Sequence, residues 1–470
     1  MALSSALFSG ISGLSSLGNA MQIIGDNIAN VNTVGFKGSS FTFQDLLSQS
    51  ISTQAGSAQV GRGTAIGDVA ACFEQGSFES TGNTTDLAIG GDGFFTLREA
   101  GSDSLLYSRA GNFRFDNDGY LTNPEGYVVQ GWRLDDQGEN AGTVTDIQLD
   151  SFTSNPEETS RVSAITNLDS DALGHDYSSV DLAGSWNGTT GGLDSAQYEY
   201  QNTVKVYDSL GSTHDVTIYF DKDSSSSDSE WQYVVACNPE EDFRSGVSAT
   251  DAGLLAKGTI TFSDSSGTIS DLTMDTFDGS SWTTGVAPDA TTGYLQFQPD
   301  FIGSAGGSTT MNVDLDLGTR WEGGSWTNAA LTTTQYARSS STIFQTANGY
   351  GAGELKSVDV DVDGTMTGTY SNGQLVPLFR VALAKFQNVQ GLHKEGNSLY
   401  RQTRDSGDAI TGNPGANGLG NISPNSLEQS NVDIADEFVK MITTQRGFQA
   451  NSNIITLTDQ MLADLINLKR

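Results

Sequence analysis

Residues 3–31 carry large apolar side chains at intervals of three and four positions. This spacing predicts one continuous amphipathic helix, built on Leu3, Leu7, Ile11, Leu14, Leu17, Met21, Ile24, Ile28 and Val31. Glycines interrupt the segment at positions 10, 13, 18 and 25, and each costs about 1 kcal/mol relative to alanine in an isolated helix. We therefore expect a helix that depends on a packing partner for its stability.

Residues 430–468 repeat the spacing at the other end of the chain. Ser430, Asn431 and Asp433 form a polar start that resembles a capping box, and acidic residues follow in the first turns. The apolar positions are Ile434, Phe438, Met441, Phe448, Ile455, Leu462 and Ile466.

The residues next to each predicted terminal helix show no second amphipathic helix against which it could pack. We predict that they pair with each other and with neighbouring copies of the chain as a coiled coil, whereas packing of each helix on its own domain is the alternative. The predicted assembly interface comprises the seven apolar positions of the second helix together with Leu7, Leu14, Leu17, Met21, Ile24 and Ile28 of the first.

Between the two ends, apolar and polar residues alternate, which predicts strands. A hairpin is predicted around the turn sequence DSLGS, flanked by Val204, Val206, Val216, Ile218 and Phe220. A further strand alternates through Trp231, Tyr233, Val235 and Cys237, so we expect Cys237 to face a core. The chain is therefore predicted to be mainly β with long α-helical termini.

Two aspartate-rich motifs are predicted to form a turn and a strand. DNDG at 116–119 is predicted to be a hairpin turn. DVDVDG at 359–364 has no glutamate at the twelfth position of a calcium loop, so we predict a strand with Val358, Val360 and Val362 facing inward and carboxylates facing outward. Stretches rich in Ser, Gly and Asp around 151–200, 222–229 and 263–290 are predicted to be loops.

The composition narrows the class of protein. The 470 residues include 57 acidic and 23 basic side chains, for a net charge of -34, and such a surface repels nucleic acid and anionic membranes. The two cysteines, Cys72 and Cys237, are too few for a disulfide framework. No apolar run is long enough to span a membrane, and the first cation is Lys37, so we expect no cleaved signal peptide.

Motifs for catalysis, metals and cofactors are missing from the sequence. His175, His214 and His393 lie far apart among polar residues, and we predict surface or turn roles for them. The sequence contains no G-x-S-x-G, H-E-x-x-H or P-loop, and GRGTAIG at 61–67 spaces its glycines wrongly for a dinucleotide site. We therefore predict no enzyme activity, no cofactor and no metal site.

Several segments, in order along the chain, resemble the axial proteins of the bacterial flagellum, the rod and hook family. ANVNTVGFK at 29–37 is similar to the N-terminal signature of that family, carried by Ala29, Asn30, Thr33, Gly35, Phe36 and Lys37. DLAIGGDGFFTL at 86–97 and the segment 107–132 resemble its β region, and 430–468 resembles its C-terminal helix. The segments 206–220 and 364–403 resemble hook members more than rod members.

This resemblance implies nested domains. The terminal helices, residues 1–30 and 430–470, would form a coiled-coil domain around an export channel. Residues 31–71 would be a connector, 72–150 and 346–429 an inner β domain, and 151–345 an inserted β domain that projects outward. The implied function is that of a structural subunit in a curved, flexible tube that joins rod to filament and transmits torque.

The resemblance also implies partners and a location. The partners would be other copies of the chain in a helical homopolymer, a distal rod protein, a hook cap protein, a hook-filament junction protein, a hook-length control protein and the flagellar type III export apparatus. Neither nucleic acid nor membrane insertion is expected, and the chain would be extracellular. The alternatives are a distal rod protein of the same family and an acidic secreted β-rich enzyme or adhesin.

Cys237 receives a second interpretation from the resemblance. Some members of the family cross-link neighbouring subunits by converting a cysteine to dehydroalanine, which a lysine then attacks. Cys237 with Lys205 is the candidate pair in this chain, and a buried, inert thiol is the alternative.

Overall fold

The computed structural model describes residues 2–46, 49–53, 56–135, 137–225, 229–303 and 310–467. The chain forms two compact units. Unit 1 comprises Met1–Phe152 and Leu355–Arg470, and unit 2 comprises Thr153–Glu354.

The first segment of unit 1 contains one long helix followed by strands. Its elements are α1 (Ala2–Ala29), β1 (Ser39–Asp45), β2 (Gln49–Thr53), β3 (Gly56–Val60), β4 (Thr64–Ala71), β5 (Phe78–Ser80), β6 (Leu87–Gly90), β7 (Phe94–Arg98), β8 (Leu105–Ser108), β9 (Arg114–Phe115), β10 (Leu121–Thr122), β11 (Val128–Leu134) and β12 (Asn140–Asp146).

Unit 2 consists of strands joined by turns and short 3₁₀ helices. Its strands are β13 (Thr153–Ser154), β14 (Arg161–Asp169), β15 (Tyr200–Tyr207), β16 (Thr213–Lys222), β17 (Glu230–Cys237), β18 (Leu254–Phe262), β19 (Ile269–Leu272), β20 (Asp275–Phe277), β21 (Trp282–Thr283), β22 (Leu295–Phe297), β23 (Val313–Asp316), β24 (Thr319–Trp321), β25 (Trp326–Asn328), β26 (Thr334–Tyr336) and β27 (Ser341–Ala347).

The remaining segment returns to unit 1 and ends in the second long helix. Its elements are β28 (Gly353–Val360), β29 (Thr365–Tyr370), β30 (Leu375–Val381), β31 (Leu383–Lys385), β32 (His393–Gly396), β33 (Leu399–Arg401), β34 (Ile410–Gly412), β35 (Asn421–Pro424), β36 (Ser426–Glu428) and α2 (Ile434–Asn467).

The two predicted terminal helices are confirmed. α2 begins after Asp433, whose Oδ1 accepts hydrogen bonds from the backbone N–H of Ala435 at 2.7 Å and of Asp436 at 3.3 Å, as an N-cap residue does. Asp436 and Glu437 lie in the first turn, where the helix dipole favours negative charge. The start of α2 is therefore encoded locally.

A fourteen-stranded sheet lies mainly in unit 1. Its main path runs through β13, β28, β29, β30, β11, β7, β8, β33 and β32, and its apolar core includes Ile89, Phe95, Val129 and Leu383. The predicted DNDG turn is confirmed, because Gly119 has φ 82° and Asp116 Oδ1 accepts from the backbone N–H of Asp118 and Tyr120.

The strand predicted around DVDVDG is confirmed in part. Val358 and Val360 are buried in β28, but Val362 is 56% exposed. β28 ends at Val360 and the chain turns, with Gly364 N–H donating to the carbonyl of Asp361 at 2.9 Å. The inward position predicted for Val362 is therefore wrong, because it lies in a turn, where strand alternation no longer applies.

Unit 2 contains two sheets around a shared apolar core. The seven-stranded sheet has the order β15-β16-β17-β18-β20-β21 with β19 on β18, and in the five-stranded sheet β14 pairs with β23, β26 and β27. The predicted hairpin is confirmed, since Val204 pairs with Val216 in an antiparallel register. Cys237 faces this core as predicted.

The loops predicted at 151–200 and 263–290 are wrong in part. β14, seven of whose nine residues are buried, lies in the first stretch, and β19, β20 and β21 lie in the second. β14 has neighbours on both edges and both of its faces are covered. Such a strand shows no alternation of apolar and polar residues, which is why the composition of its surroundings masked it.

Among the described residues, α1 and α2 are the longest helices and neither has a segment apolar enough to cross a membrane.

Candidate assembly surface

α1 and α2 pack against each other within unit 1, and glycines set how closely they approach. A β-carbon on Gly13 would lie 2.8 Å from Nδ2 of Asn451, and one on Gly447 would lie 3.2 Å from Cδ1 of Leu17. A β-carbon on Gly10 would lie 3.1 Å from Cγ1 of Ile455. Gly10 and Gly13 therefore lower the intrinsic helix propensity of α1 but allow close contact with α2.

The face of α2 that is buried in the single chain is polar. Glu437, Thr444 and Thr458 are buried, and with the half-buried Asn451 they recur every seven residues. Polar residues at buried heptad positions lower the stability of a helix pair and help to fix its register. This row was missed by the sequence analysis, which followed the apolar residues alone.

The predicted apolar interface residues of α1 are partly covered. Ile24 is fully buried. The others, Leu7, Leu14, Leu17, Met21 and Ile28, have intermediate exposure. α1 also contacts the strands β1 and β4, for example through Asn27, whose amide exchanges two hydrogen bonds with the backbone of Ser39 at 2.8 and 2.9 Å.

The apolar positions of α2 are more exposed. Met441 and Ile455 have intermediate exposure, and the side chain of Ile466 lies outside the described residues. Nine further apolar side chains of this helix are between 39% and 60% exposed: Ile434, Phe438, Val439, Ile442, Phe448, Ile454, Leu457, Met461 and Leu462. Large apolar side chains that stay exposed in this number along one helix indicate a site that binds a partner.

A polar turn ends α1 and holds the family-like motif. Ala29 is the last helical residue, and Asn30 Nδ2 donates to the carbonyl of Asp26 at 2.9 Å. Thr33 Oγ1 donates to Asn30 Oδ1 at 3.1 Å. The turn positions Phe36, whose ring centroid lies 5.6 Å from Nζ of Lys394.

Gly35 occupies a position that only glycine fits. Its φ is 65°, in the left-handed region that glycine enters without steric cost. A β-carbon there would lie 2.4 Å from the backbone N of Ala110. Its own N–H donates to the carbonyl of Glu428 at 2.7 Å, so the turn lies directly against the strand that precedes α2.

Three charged side chains form a buried cluster beside this turn, which we call the clasp: Lys37, Arg109 and Glu428. Lys37 Nζ lies 2.6 Å from Glu428 Oε1, and both side chains are fully buried. Arg109 Nη1 lies 3.4 Å from Glu428 Oε2. Burial lowers the pKa of Lys37, and its hydrogen bond to Glu428 opposes that shift.

The clasp joins distant parts of the chain. Glu428 Oε1 also accepts from the backbone N–H of Gly76 at 2.9 Å, and Lys37 Nζ donates to the carbonyl of Glu74 at 2.7 Å. One residue of the clasp follows α1, one lies in the β region and one precedes α2. Removing one partner of a buried ion pair costs about 3–5 kcal/mol, so the clasp fixes where α1 ends and α2 begins relative to the strands of unit 1.

The thiols occupy different environments. Cys237 is buried, and burial raises its pKa to about 12. Lys205 is exposed and lies between Val204 and Val206, which share the core with Cys237, so the structure does not bring the two candidate cross-linking residues together within one chain. Cys72 is a free cysteine of intermediate exposure. A cross-link between copies stays a prediction.

The histidines do not form a site together. His175 Nδ1 lies 2.8 Å from Asp221 Oδ2, and His393 is exposed on β32. His214 departs from the predicted surface or turn role, because it lies in β16 and is 8% exposed. Its ring stacks on that of Phe301, with the two ring centroids 4.1 Å apart. Within the part of the chain that the structure describes, acidic, histidine and cysteine side chains form no group suited to a metal ion.

Four family models match the chain in sequence order. The model for flagella basal body rod proteins matches residues 7–37, and the flagellar hook protein FlgE/F/G D1 domain matches 88–166. The flagellar basal body protein FlaE D2 domain matches 167–350. The C-terminal model of the flagellar basal body rod FlgEFG proteins matches 423–468.

Curated relatives match the chain over its whole length. The flagellar hook protein FlgE of Borreliella burgdorferi is 34% identical over 489 residues, which cover 99% of both chains. That of Treponema pallidum is 34% identical over 488 residues, again 99% of both chains. A crystal structure of the Helicobacter pylori flagellar hook protein FlgE2 aligns at 14% identity with a TM-score of 0.45, over 75% of this chain and 100% of that chain.

The order of the matched domains and the full-length identity lead to one assignment. The chain belongs to the flagellar hook protein FlgE family, a family of structural subunits and not of enzymes.

Proposed function

We propose that the chain is the repeating subunit of a curved, flexible tube that links the basal-body rod to the filament and transmits motor torque. In this proposal α1 and α2 of adjacent copies form a coiled-coil layer around a central channel, and unit 2 lies on the outside. The observation that carries the proposal is the exposed apolar surface of α2.

The described part of the chain leaves this surface uncovered, so we infer that another molecule covers it. Burial of apolar surface contributes about 25 cal/mol per Å², and nine apolar side chains on one helix remain substantially exposed. The contact that α1 and α2 make within the chain leaves these nine side chains uncovered. The α1 and α2 helices of neighbouring copies have the same lengths and also carry apolar side chains, so they can cover this surface.

The net charge of -34 fits a subunit that stays soluble until it reaches the assembly site. Like charge opposes random association of monomers, whereas apolar contacts between correctly placed helices overcome that repulsion. Assembly then depends on register and orientation and not on non-specific attraction.

The domain roles follow from this arrangement. Residues 1–30 and 430–470 form the coiled-coil layer, 31–71 the connector, 72–150 and 346–429 the inner β domain, and 151–345 the outer domain. The clasp supports this assignment, because Lys37, Arg109 and Glu428 hold the helical ends against the strands of unit 1 and give torque a stiff path between them.

The tube would meet other flagellar components at its ends and during assembly. We propose contacts with the distal rod protein, the hook cap protein, the hook-filament junction protein and the hook-length control protein. The chain would leave the cell through the flagellar type III export apparatus without a cleaved signal peptide, and the tube would be extracellular.

Assembly of the purified chain tests the proposal, with tubes scored by electron microscopy. Leu457→Asp places a charge on the exposed apolar surface of α2, where the leucine is 58% exposed. Leu210→Asp is the matched control, since Leu210 is 70% exposed in a turn of unit 2. We expect Leu457→Asp to remove tubes without changing the unfolding midpoint, and Leu210→Asp to leave tubes intact. Normal tubes from Leu457→Asp would contradict the proposal.

A distal rod protein is the second candidate, and cells lacking the gene separate the two. Basal bodies that keep complete rods but carry no hooks support the hook assignment. Rods that stop short would support the alternative, and intact motile flagella would exclude both.

A further inference from the structure

Unit 2 is acidic overall, but one stretch of its sequence carries almost no charge. Residues 153–354 include 28 acidic and 7 basic side chains. Within them, residues 323–353 carry a single charged side chain, Arg338. Like-charged copies of unit 2 can approach most closely where acidic side chains are missing.

The structure places part of this tract along the edge of a sheet. β27 pairs in antiparallel register with β14, and among the described residues it has no second strand partner. Edge strands of natural proteins are protected by charges, prolines or short length. β27 is seven residues long and contains neither a charge nor a proline.

A β-bulge exposes two neighbouring apolar side chains on this strand. Phe344 pairs with Ile165 and Thr342 pairs with Thr166, so Ile343 has no opposite residue. Bulges redirect side chains and interrupt pairing. Ile343 is 42% exposed and Phe344 44% exposed, although consecutive residues of a regular strand would face opposite sides.

The single cation of the tract lies next to this strand. The carbonyl of Arg338 accepts from Asn167 Nδ2 at 3.1 Å, and Ser340 Oγ accepts from the backbone N–H of Asp169 at 3.0 Å. These bonds hold the connection between β26 and β27 against the end of β14. Arg338 is exposed, and among the described residues its guanidinium has no carboxylate within ion-pair distance.

We propose that Arg338, Ile343 and Phe344, which we name the β27 flank, form a contact surface for an acidic face of unit 2 in a neighbouring copy. This inference rests on the proposed function and adds the surface through which outer units touch. Arginine and large aromatic residues are enriched in the buried centres of interfaces. An exposed arginine without an ion-pair partner is suited to bind carboxylates. A second copy of unit 2 carries 28 acidic and 7 basic side chains, so it offers such carboxylates.

The mode of contact is side-chain docking and not strand addition. Strand addition needs a regular row of backbone donors and acceptors, and the bulge at Ile343 interrupts that row. The contact is therefore small, with one ion pair and two apolar side chains per copy. A small contact of this kind forms only when the helical layer already holds the copies together.

Photo-cross-linking in assembled tubes tests this inference. p-Benzoylphenylalanine at position 344 of the full chain should give cross-linked dimers whose joined peptide lies within residues 153–354 of the second copy. The same probe at position 173, where Leu173 is 94% exposed, is the control, and we expect a several-fold lower yield there. Arg338→Glu should reduce the yield from position 344 several-fold while tubes still form, and Arg338→Lys should retain it.

Equal yields at positions 344 and 173, or joined peptides within residues 1–152 or 355–470, would overturn the inference and leave the proposed tube intact. Electron microscopy of the same samples separates the two failures. A chain without substitutions that forms no tubes would overturn the proposed function itself, and the inference with it.

Discussion

Lys37 Nζ and Glu428 Oε1 lie 2.6 Å apart in a fully buried ion pair, although 391 residues separate them in the chain. Glu428→Gln would leave Lys37 and Arg109 buried without their shared anion. We expect a loss of about 3–5 kcal/mol in the free energy of unfolding of unit 1, measured by urea denaturation. Glu125→Gln, at an exposed position, is the control and should change stability by less than about 0.5 kcal/mol. A loss below about 1 kcal/mol for Glu428→Gln would show that water reaches the clasp.

Two glycine-to-alanine substitutions should act in opposite directions. Gly35→Ala forces a β-carbon to within 2.4 Å of the backbone of Ala110 at φ 65°, and we expect it to destabilise unit 1 by about 2 kcal/mol or more. Gly25 lies in α1, and a β-carbon added there would have no neighbouring atom within 4 Å. Gly25→Ala should stabilise the monomer by up to about 1 kcal/mol. Thermal unfolding of both variants checks the pair, and equal effects would contradict the assigned role of Gly35.

Ile24→Asp and Phe448→Asp should fail for different reasons, although both residues belong to the predicted apolar interface. Ile24 is fully buried within the chain, so an aspartate there is a buried, unpaired charge and should displace α1 in the monomer. Phe448 is 43% exposed, so Phe448→Asp should keep the monomer folded and prevent polymerisation. Circular dichroism and electron microscopy distinguish the two, and tubes from Phe448→Asp would remove this residue from the interface.

Burial of the Cys237 thiol should lower the free energy of unfolding at alkaline pH. Its pKa rises from 9.0 to about 12 in the folded chain because of burial, so between these values the unfolded chain loses a proton that the folded chain keeps. The stability contribution of the thiol is therefore fully present below pH 9 and falls above it, by about 1.4 kcal/mol per pH unit. Cys237→Ala should flatten the fall in unfolding free energy above pH 9 by this slope. An unchanged slope would mean that the thiol is accessible to water.

Removal of unit 2 should alter the mechanics of the tube and leave its assembly intact. A joint that bends while it rotates needs outer contacts that can slide, and small contacts such as that proposed for the β27 flank suit that role. Leu355 N–H donates to the carbonyl of Phe152 at 2.8 Å, so a short Gly/Ser bridge can replace residues 153–354. We expect tubes that are straight or less flexible, scored by electron microscopy and swimming assays. Normal curvature would assign the bend to the inner layers, and complete loss of tubes would show that unit 2 is needed for assembly.

Local patterns predicted the elements whose structure is decided locally. The spacing of apolar residues located α1 and α2, and alternation around DSLGS located the hairpin of β15 and β16. These elements have one covered face and one open face, which leaves a period in the sequence. β14 has no such period, because both of its faces are covered, and the polar residues around it suggested a loop.

The clasp could not be derived from any local pattern. Lys37, Arg109 and Glu428 lie in three segments, each of which shows an ordinary single charge. The only signal in the sequence was indirect: Lys37 is the first cation of the chain and ends the motif that resembles the flagellar axial family. The buried polar row of α2 was hidden in a similar way, because polar residues on a helix normally indicate the solvent side.

Thr153 pairs with Glu354, and Ser154 with Gly353, in an antiparallel register. The chain therefore enters and leaves unit 2 through neighbouring strands, so that the whole of unit 2 occupies the position of a hairpin turn. In evolutionary terms this makes unit 2 a replaceable module. A lineage can lengthen, shorten or exchange it without moving a residue of the helices, and selection on unit 2 can proceed independently of selection on unit 1.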